Sequence, residues 1–156
     1  MAIYYFDSSA LVKYFHRESG SEWVKAIIET RNDFEFENKV YLSDVGRVEI
    51  PAAFALLART RQITLSARDQ MYDAFAQDLR ARFRLVYLTS AILQRAAQLT
   101  QQHPLKAYDA VQLASGIILS ESFRADALSL TFIASDKTLL QAAQAEGLVA
   151  ENPSDH

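Results

Sequence analysis

The chain has 156 residues, with 16 Lys and Arg against 19 Asp and Glu, 3 His, no Cys, and half of its composition hydrophobic. That length and apolar content suffice for one domain with its own core, and the missing cysteine excludes disulfides, thiol nucleophiles and thiolate metal sites, so any metal must sit on oxygen or histidine. The net charge of −3 argues against a phosphate-binding groove, unless bound divalent cations reverse the local field.

The start of the chain has no basic region ahead of an apolar stretch, and no segment approaches membrane-spanning length, so a cytoplasmic location is expected, with no membrane partner. Ile3 to Phe6 is a short β-prone run that ends on Asp7, Ser8 and Ser9 and passes into Ala10 to Phe15. That succession reads as strand, cap and helix. A second helix fits Ser21 to Thr30, followed by a solvated acidic connection from Asp33 to Glu37. Val40 to Leu42 makes a brief second strand. Ser43 or Asp44 then caps a helix with Val45, Val48, Ala52, Ala53, Leu56 and Leu57 at helical spacing. Pro51 lies inside it and removes a backbone donor, so a kink is expected just before it.

A helix from Ser66 to Arg80 leads to a third strand, Arg84 to Leu88, and then a helix from Ala91 to Thr100. His103 and Pro104 break the chain. Lys106 to Ser120 is helical, Leu130 to Ala134 is a strand, and Thr138 to Ala145 is a helix that Gly147 stops. Leu148 and Val149 offer an edge strand, and residues 151–156 are expected to form a loose tail beyond a single domain of residues 1–150. Strands alternating with helices imply an α/β fold of three layers, α/β/α, around a parallel sheet. In such sheets, sites form at the carboxyl ends of the strands.

Four acids fall at informative places. Asp7 and Asp136 each follow a strand and precede a helix, where an acid serves equally as N-cap or as part of a site. Glu49 lies within the apolar face formed by Val45, Ala52, Ala53 and Leu56. An ionised carboxylate there needs an Arg or Lys partner, a proton or a cation. Asp109 begins a helix with the apolar stripe Ala107, Ala110, Val111, Ala114 and Ile118 and faces away from it, which also suits the helix dipole. Together the four suit a hard divalent cation, because Mg²⁺ and Mn²⁺ prefer oxygen ligands and clustered carboxylates repel one another without one.

The segments carrying these acids are Tyr-Phe-Asp7-Ser-Ser-Ala-Leu-Val-Lys-Tyr-Phe, Leu-Ser-Asp-Val-Gly-Arg-Val-Glu49-Ile, Leu-Lys-Ala-Tyr-Asp109-Ala-Val-Gln-Leu-Ala and Phe-Ile-Ala-Ser-Asp136-Lys-Thr-Leu-Leu-Gln-Ala-Ala. In this order the chain resembles PIN-domain proteins, most closely the VapC-type toxins of toxin–antitoxin pairs. The resemblance implies a central parallel sheet of four or five strands with an acidic pocket at its carboxyl edge. It implies RNA cleavage dependent on one or two Mg²⁺ or Mn²⁺ ions, with Asp7, Glu49 and Asp109 as main ligands, Asp136 acting through water, and Ser8 supporting them. Hydrolysis would leave a 5′-phosphate and a 3′-hydroxyl. It further implies a homodimer, and a small antitoxin that wraps the toxin and blocks the pocket with a basic residue. Pro51, directly after the Glu49 segment, departs from the family pattern.

Lys13, Arg17, Arg47, Lys106 and Lys137 lie close in sequence to a site acid and are candidate phosphate contacts, or ordinary solvated surface. Arg80, Arg82 and Arg84 form a basic stretch that equally suits a helix C-terminus. His16 and His103 lack metal-type spacing and read as structural or surface residues. Tyr14, Phe15, Trp23, Phe54, Tyr72 and Phe75 either feed an interface or pack the core. Two other readings place the acids differently. A receiver-like or phosphatase-like domain predicts an aspartyl phosphate, but lacks two acids flanking one residue after the first strand. A non-catalytic PIN-like module predicts cation binding without cleavage.

Overall fold

Side chains of the first strand, β1 (Ile3–Phe6), alternate between two apolar layers, and this alternation is what requires helices on both faces of the sheet. Ile3 and Tyr5 enter one layer, and Phe6, with Tyr4 beside it, enters the other. In β2 (Lys39–Ser43) the same split sends Tyr41 one way and Val40 and Leu42 the other. Strands buried on both faces are the mark of a covered parallel sheet.

In this computed structural model, which describes residues 1–156, all five strands pair in parallel. Their order is β3 (Phe83–Val86), β2, β1, β4 (Leu130–Ile133), β5 (Val149–Glu151). α1 (Ser8–Phe15), α2 (Ser21–Glu29), α3 (Gly46–Arg59) and α4 (Leu65–Ala81) pack on the Phe6 side. α5 (Ser90–Gln102), α6 (Ala107–Arg124) and α7 (Lys137–Ala145) pack on the Tyr5 side. The result is the three-layer α/β/α architecture expected from the alternation of elements. No helix is long and apolar enough to cross a membrane.

The chain lays β1, β2 and β3 outward on one side, then returns to place β4 on the other flank of β1. The order therefore reverses between β1 and β4, whose following helices α1 and α7 leave on opposite faces of the sheet, the kind of switch point at which such folds place their sites. Phe6 pairs with Ile133, and the Asp7 N–H donates to the Ile133 carbonyl at 2.9 Å. The first residue past β1 is thus held at the carboxyl edge, beside the end of β4.

α6 reaches the sheet by way of a glycine. A Cβ on Gly116 would lie 2.7 Å from Cδ2 of Phe132, whose ring stacks on Tyr5 with centroids 5.2 Å apart. Gly116→Ala is expected to cost about 1–3 kcal/mol through overpacking. Urea denaturation measures it, and an unchanged midpoint would show that the helix has slack there.

Several boundaries and faces differ from the sequence expectation. α3 begins at Gly46 without a side-chain cap, because Ser43 belongs to β2 and the Asp44 carboxylate pairs with Arg47 instead. Its buried stripe is Gly46, Ile50 and Phe54 rather than Val45, Val48, Ala52 and Leu56, and Val48 is 73% exposed. The helix continues through Pro51 to Arg59. On α6 the buried stripe is Ala110, Leu113, Ala114 and Ile117, one step around from the expected one, and it carries the polar Gln112 and Ser115 with it. The third strand starts at Phe83 and ends at Val86, leaving Tyr87 and Leu88 exposed.

The last residues are not loose. Val149–Glu151 completes the sheet, and a 3-10 turn at Pro153–Asp155 buries Pro153. His156 stacks on Trp23 at 4.1 Å. Gly20, at φ +87°, makes room for the turn: a Cβ there would lie 2.4 Å from the Pro153 carbonyl oxygen.

Candidate active site

Asp7 caps α1. Its Oδ2 accepts from the Ser9 N–H at 3.2 Å and also from the Ser9 hydroxyl. The residue is only 6% exposed, yet no basic group pairs with it. Burial pushes its carboxyl up to about 6; the Ser9 hydroxyl works against this, and the negative charges of Glu49 and Asp109 add to it.

Glu49 stands in the first turn of α3 and is half-buried. Its Oε1 accepts from Ser8 Oγ at 3.1 Å and from Gln112 Nε2 at 2.7 Å. Asp109 stands in the first turn of α6, one turn before Gln112. Burial raises its pKa first and the charge of Asp136 second, while Lys106 opposes both. Asp136 is exposed and caps α7, with Oδ1 accepting from the Leu139 N–H at 2.8 Å.

The electrostatic pairings Glu49 with Asp7, Asp7 with Asp109, and Asp109 with Asp136 place the four carboxyls in one field. Capping accounts for the backbone geometry at Asp7 and Asp136. It does not account for a buried, unpaired carboxylate facing two others. None of the four is engaged in an ion pair.

The donor set fits a hard divalent cation in chemistry. Asp7, Glu49 and Asp136 each commit one oxygen to protein donors and leave the other without a hydrogen bond. The Ser135 hydroxyl, buried beside Asp136, has no partner. As the side chains stand, no three of them are close enough to close around one ion.

The raised Asp7 pKa has a sign that can be measured. The folded state holds this proton up to about pH 6, against an ordinary value of 3.8. Folding therefore takes up a proton between those values, and stability falls as pH rises through them. In chelator, lowering the pH from about 7 to about 5 is expected to add about 1 kcal/mol through Asp7. Denaturation of wild type and Asp7→Asn at both pH values isolates that component, and equal pH slopes would refute it.

The candidate phosphate contacts separate. Lys13 does not belong among them: it is buried, donates to the Ser19 carbonyl at 2.9 Å and pairs with Glu18 at 3.5 Å. Arg47 is exposed but pairs with Asp44 at 3.2 Å. Arg17, Lys106 and Lys137 are exposed, and Lys106 acts on Asp109. Arg82 is structural, tied to Asp78 at the end of α4. His103 pairs with Glu146 at 2.8 Å. Phe54 and Phe75 belong to the core, whereas Tyr72 is exposed.

Gln112 was not visible as a site residue from the sequence. It is 1% exposed and joins Tyr5, Ser8 and Glu49. The available signal was a polar residue inside a run of small and apolar ones, one turn after Asp109.

A family model described as PIN domain matches residues 4–143. The chain is 32% identical over 123 residues to Ribonuclease VapC45 and to Ribonuclease VapC49, from two strains of Mycobacterium tuberculosis; each alignment covers 78% of this chain and 79% of the relative. The fold matches that of PAE2754 from Pyrobaculum aerophilum, with TM-score 0.61 and 19% identity over 99% of this chain and 85% of that one. It also matches a chain of a toxin-antitoxin complex from Klebsiella pneumoniae, with TM-score 0.55 and 18% identity over 98% of both.

Proposed function

Because this chain belongs to the PIN domain family, we propose that it is a divalent-cation-dependent endoribonuclease and the toxin of a toxin–antitoxin pair. The observation that supports this reading is the buried Asp7 carboxyl, which feels the charges of Glu49 and Asp109 from segments far along the chain and has no basic partner, as Asp109 feels Asp136. The ribonuclease names of the relatives supply the substrate class.

Asp7, Glu49 and Asp109 would hold one or two Mg²⁺ or Mn²⁺ ions, with Asp136 assisting. A bound divalent cation supplies charge neutralisation at phosphorus and an activated attacking water. The protein positions that chemistry. Ser8 and Gln112 aim Glu49, Ser9 aims Asp7, and the exposed Lys106, Lys137 and Arg47 hold the RNA backbone. Asp7 carries a proton below about pH 6, so a bound cation would have to displace it, and binding would weaken as pH falls through that value. The products are a 5′-phosphate and a 3′-hydroxyl. Such an enzyme meets its RNA in the cytoplasm.

The proposed protein partners are a second copy of the chain and a small antitoxin. The uncovered apolar side chains Val48, Leu56 and Tyr72 on α3 and α4 support a protein-covered surface there.

The test is incubation of the purified protein with total RNA, with Mn²⁺ or Mg²⁺ and with chelator, followed by end mapping. Cleavage that requires the ion and leaves 5′-phosphates is expected. Cleavage indifferent to chelator would overturn the cation-dependent mechanism, and tight Mn²⁺ binding without cleavage of any RNA would favour a non-catalytic module.

A further inference from the structure

We infer that a cleft at the amino edge of the sheet, at the opposite end of the strands from the acids, holds phosphate groups of the RNA backbone and anchors the substrate away from the cut. The inference rests on the reading that the chain acts on RNA, and it assigns the surface that supplies positive charge for binding.

The cleft has a volume of about 540 Å³, and Asn32, Phe36, Lys39, Arg80, Arg82 and Arg84 are among the residues that line it. Lys39 opens β2 and Arg84 lies one residue into β3, so both stand where the strands begin. Arg80 comes from the last turn of α4. One wall is the turn between α2 and β2, closed by the bridge of Arg31 to Phe36. Asn32 fixes that turn, its Oδ1 accepting from the Phe34 and Glu35 N–H groups at 2.8 and 2.9 Å. The guanidinium groups of Arg31 and Arg82 lie 4.5 and 4.7 Å from the centre of the Phe36 ring, which ties the turn to the end of α4.

Much of the positive charge here is uncompensated. Arg82 is paired with Asp78, but Arg31, Lys39, Arg80 and Arg84 belong to no ion pair. A helix C-terminus accounts for Arg80. It does not account for Arg84, which lies in a strand, or for Arg31 and Lys39, which come from another part of the chain. Glu35 and Glu37 line the same cleft, also outside ion pairs, and they reduce its field without cancelling the four basic residues that line it.

A chain of net charge −3 that acts on RNA needs such a surface. Affinity for nucleic acid comes mainly from Lys and Arg at phosphates, whereas the carboxyl edge presents acids that repel the backbone. β1 and β2 have 4 and 5 residues. At about 3.3 Å per residue the two edges therefore lie about 13–17 Å apart, a span that a folded RNA hairpin covers. Contacts of this kind position the backbone and read no base, so the cleft contributes affinity and not sequence choice.

The experiment is fluorescence anisotropy of a labelled RNA hairpin in chelator, where no cation-dependent cleavage occurs, over a series of KCl concentrations. The proteins are wild type, Arg80→Gln with Arg84→Gln, and Glu35→Gln with Glu37→Gln. These side chains are outside ion pairs, so folding is expected to survive both changes. In the arginine pair, affinity at low salt is expected to fall about tenfold and the slope of log K against log salt to become shallower by about 1.5, as for two lost phosphate contacts. The glutamate pair is expected to bind more tightly than wild type, a gain that a damaged fold cannot imitate.

Hairpin binding by the arginine pair at wild-type affinity and slope overturns the inference, and so does a wild type that does not bind the hairpin at low salt. A labelled poly-glutamate peptide that binds more tightly than the hairpin, and is lost with the same arginines, overturns the choice of RNA in favour of an acidic protein. Cleavage with Mn²⁺, measured alongside, reports the proposed function separately. Cleavage by wild type with unchanged hairpin binding in the arginine pair removes this inference alone; hairpin binding through the arginines without cleavage removes the ribonuclease reading alone.

Discussion

Asp7→Asn is expected to abolish RNA cleavage and, in chelator at neutral pH, to make the protein more stable by about 2–3 kcal/mol. The two effects have one cause. Asp7 is buried without a basic partner, and its carboxyl is raised from 3.8 to about 6. Keeping it ionised at neutral pH costs the folded state about 3 kcal/mol relative to the unfolded chain. Asparagine retains the oxygen that accepts from Ser9 and is an equally good N-cap, so α1 keeps its start. Only the charge is lost, and with it the proposed cation ligand. Saturating Mn²⁺ should raise the melting temperature of wild type and leave the variant nearly unmoved. A pure capping role predicts the opposite pattern, with stability unchanged or lower and cleavage intact. Thermal denaturation with and without Mn²⁺, beside an RNA cleavage assay, separates the two.

Arg82→Met should cost about 3 kcal/mol of stability, the largest loss expected from any basic residue of this chain. Its guanidinium makes two bonds to the Asp78 carboxylate, at 2.8 and 3.0 Å, and donates to the Tyr14 hydroxyl. It also lies over the rings of Phe36, Tyr14 and Phe83 at 4.7, 5.0 and 5.5 Å. The pair is 11% and 18% exposed, so removing the cation leaves Asp78 charged and largely out of water. The same side chain joins α4 to α1, to the connection before β2, and to the start of β3. Replacing Asp78 by Leu together with Arg82→Met should recover most of the loss, because the orphaned charge dominates the penalty. Urea denaturation of the three proteins tests this. A double variant as unstable as the single one would assign the loss to the ring contacts instead.

The positions of the four candidate acids relative to strands and helices are legible in the sequence, because each sits at a punctuation point of the chain, after a strand or at the start of a helix. Glu49 was singled out for a partly mistaken reason. The apolar face assigned to its helix turned out to be exposed in part, with Val48 and Leu56 in solvent and the burial carried by Gly46, Ile50 and Phe54. A helical wheel ranks apolar residues, but it cannot tell a face covered by the sheet from one left uncovered. Lys13 failed for a related reason. Nearness in sequence to Asp7 suggested a shared surface, yet a helix turns through a full circle in under four residues, and Lys13 points to Glu18 and the Ser19 carbonyl.

The sequence by itself determined the alternation of strands and helices, and hence a parallel sheet with its chemistry at one edge, because periodicity and capping are local properties. Tertiary structure alone decided the strand order, the switch point between β1 and β4, and the tie from Tyr5 through Gln112 to Glu49. Those depend on side chains more than forty residues apart in the chain meeting in space, and no local pattern encodes which oxygen of a carboxylate is left free.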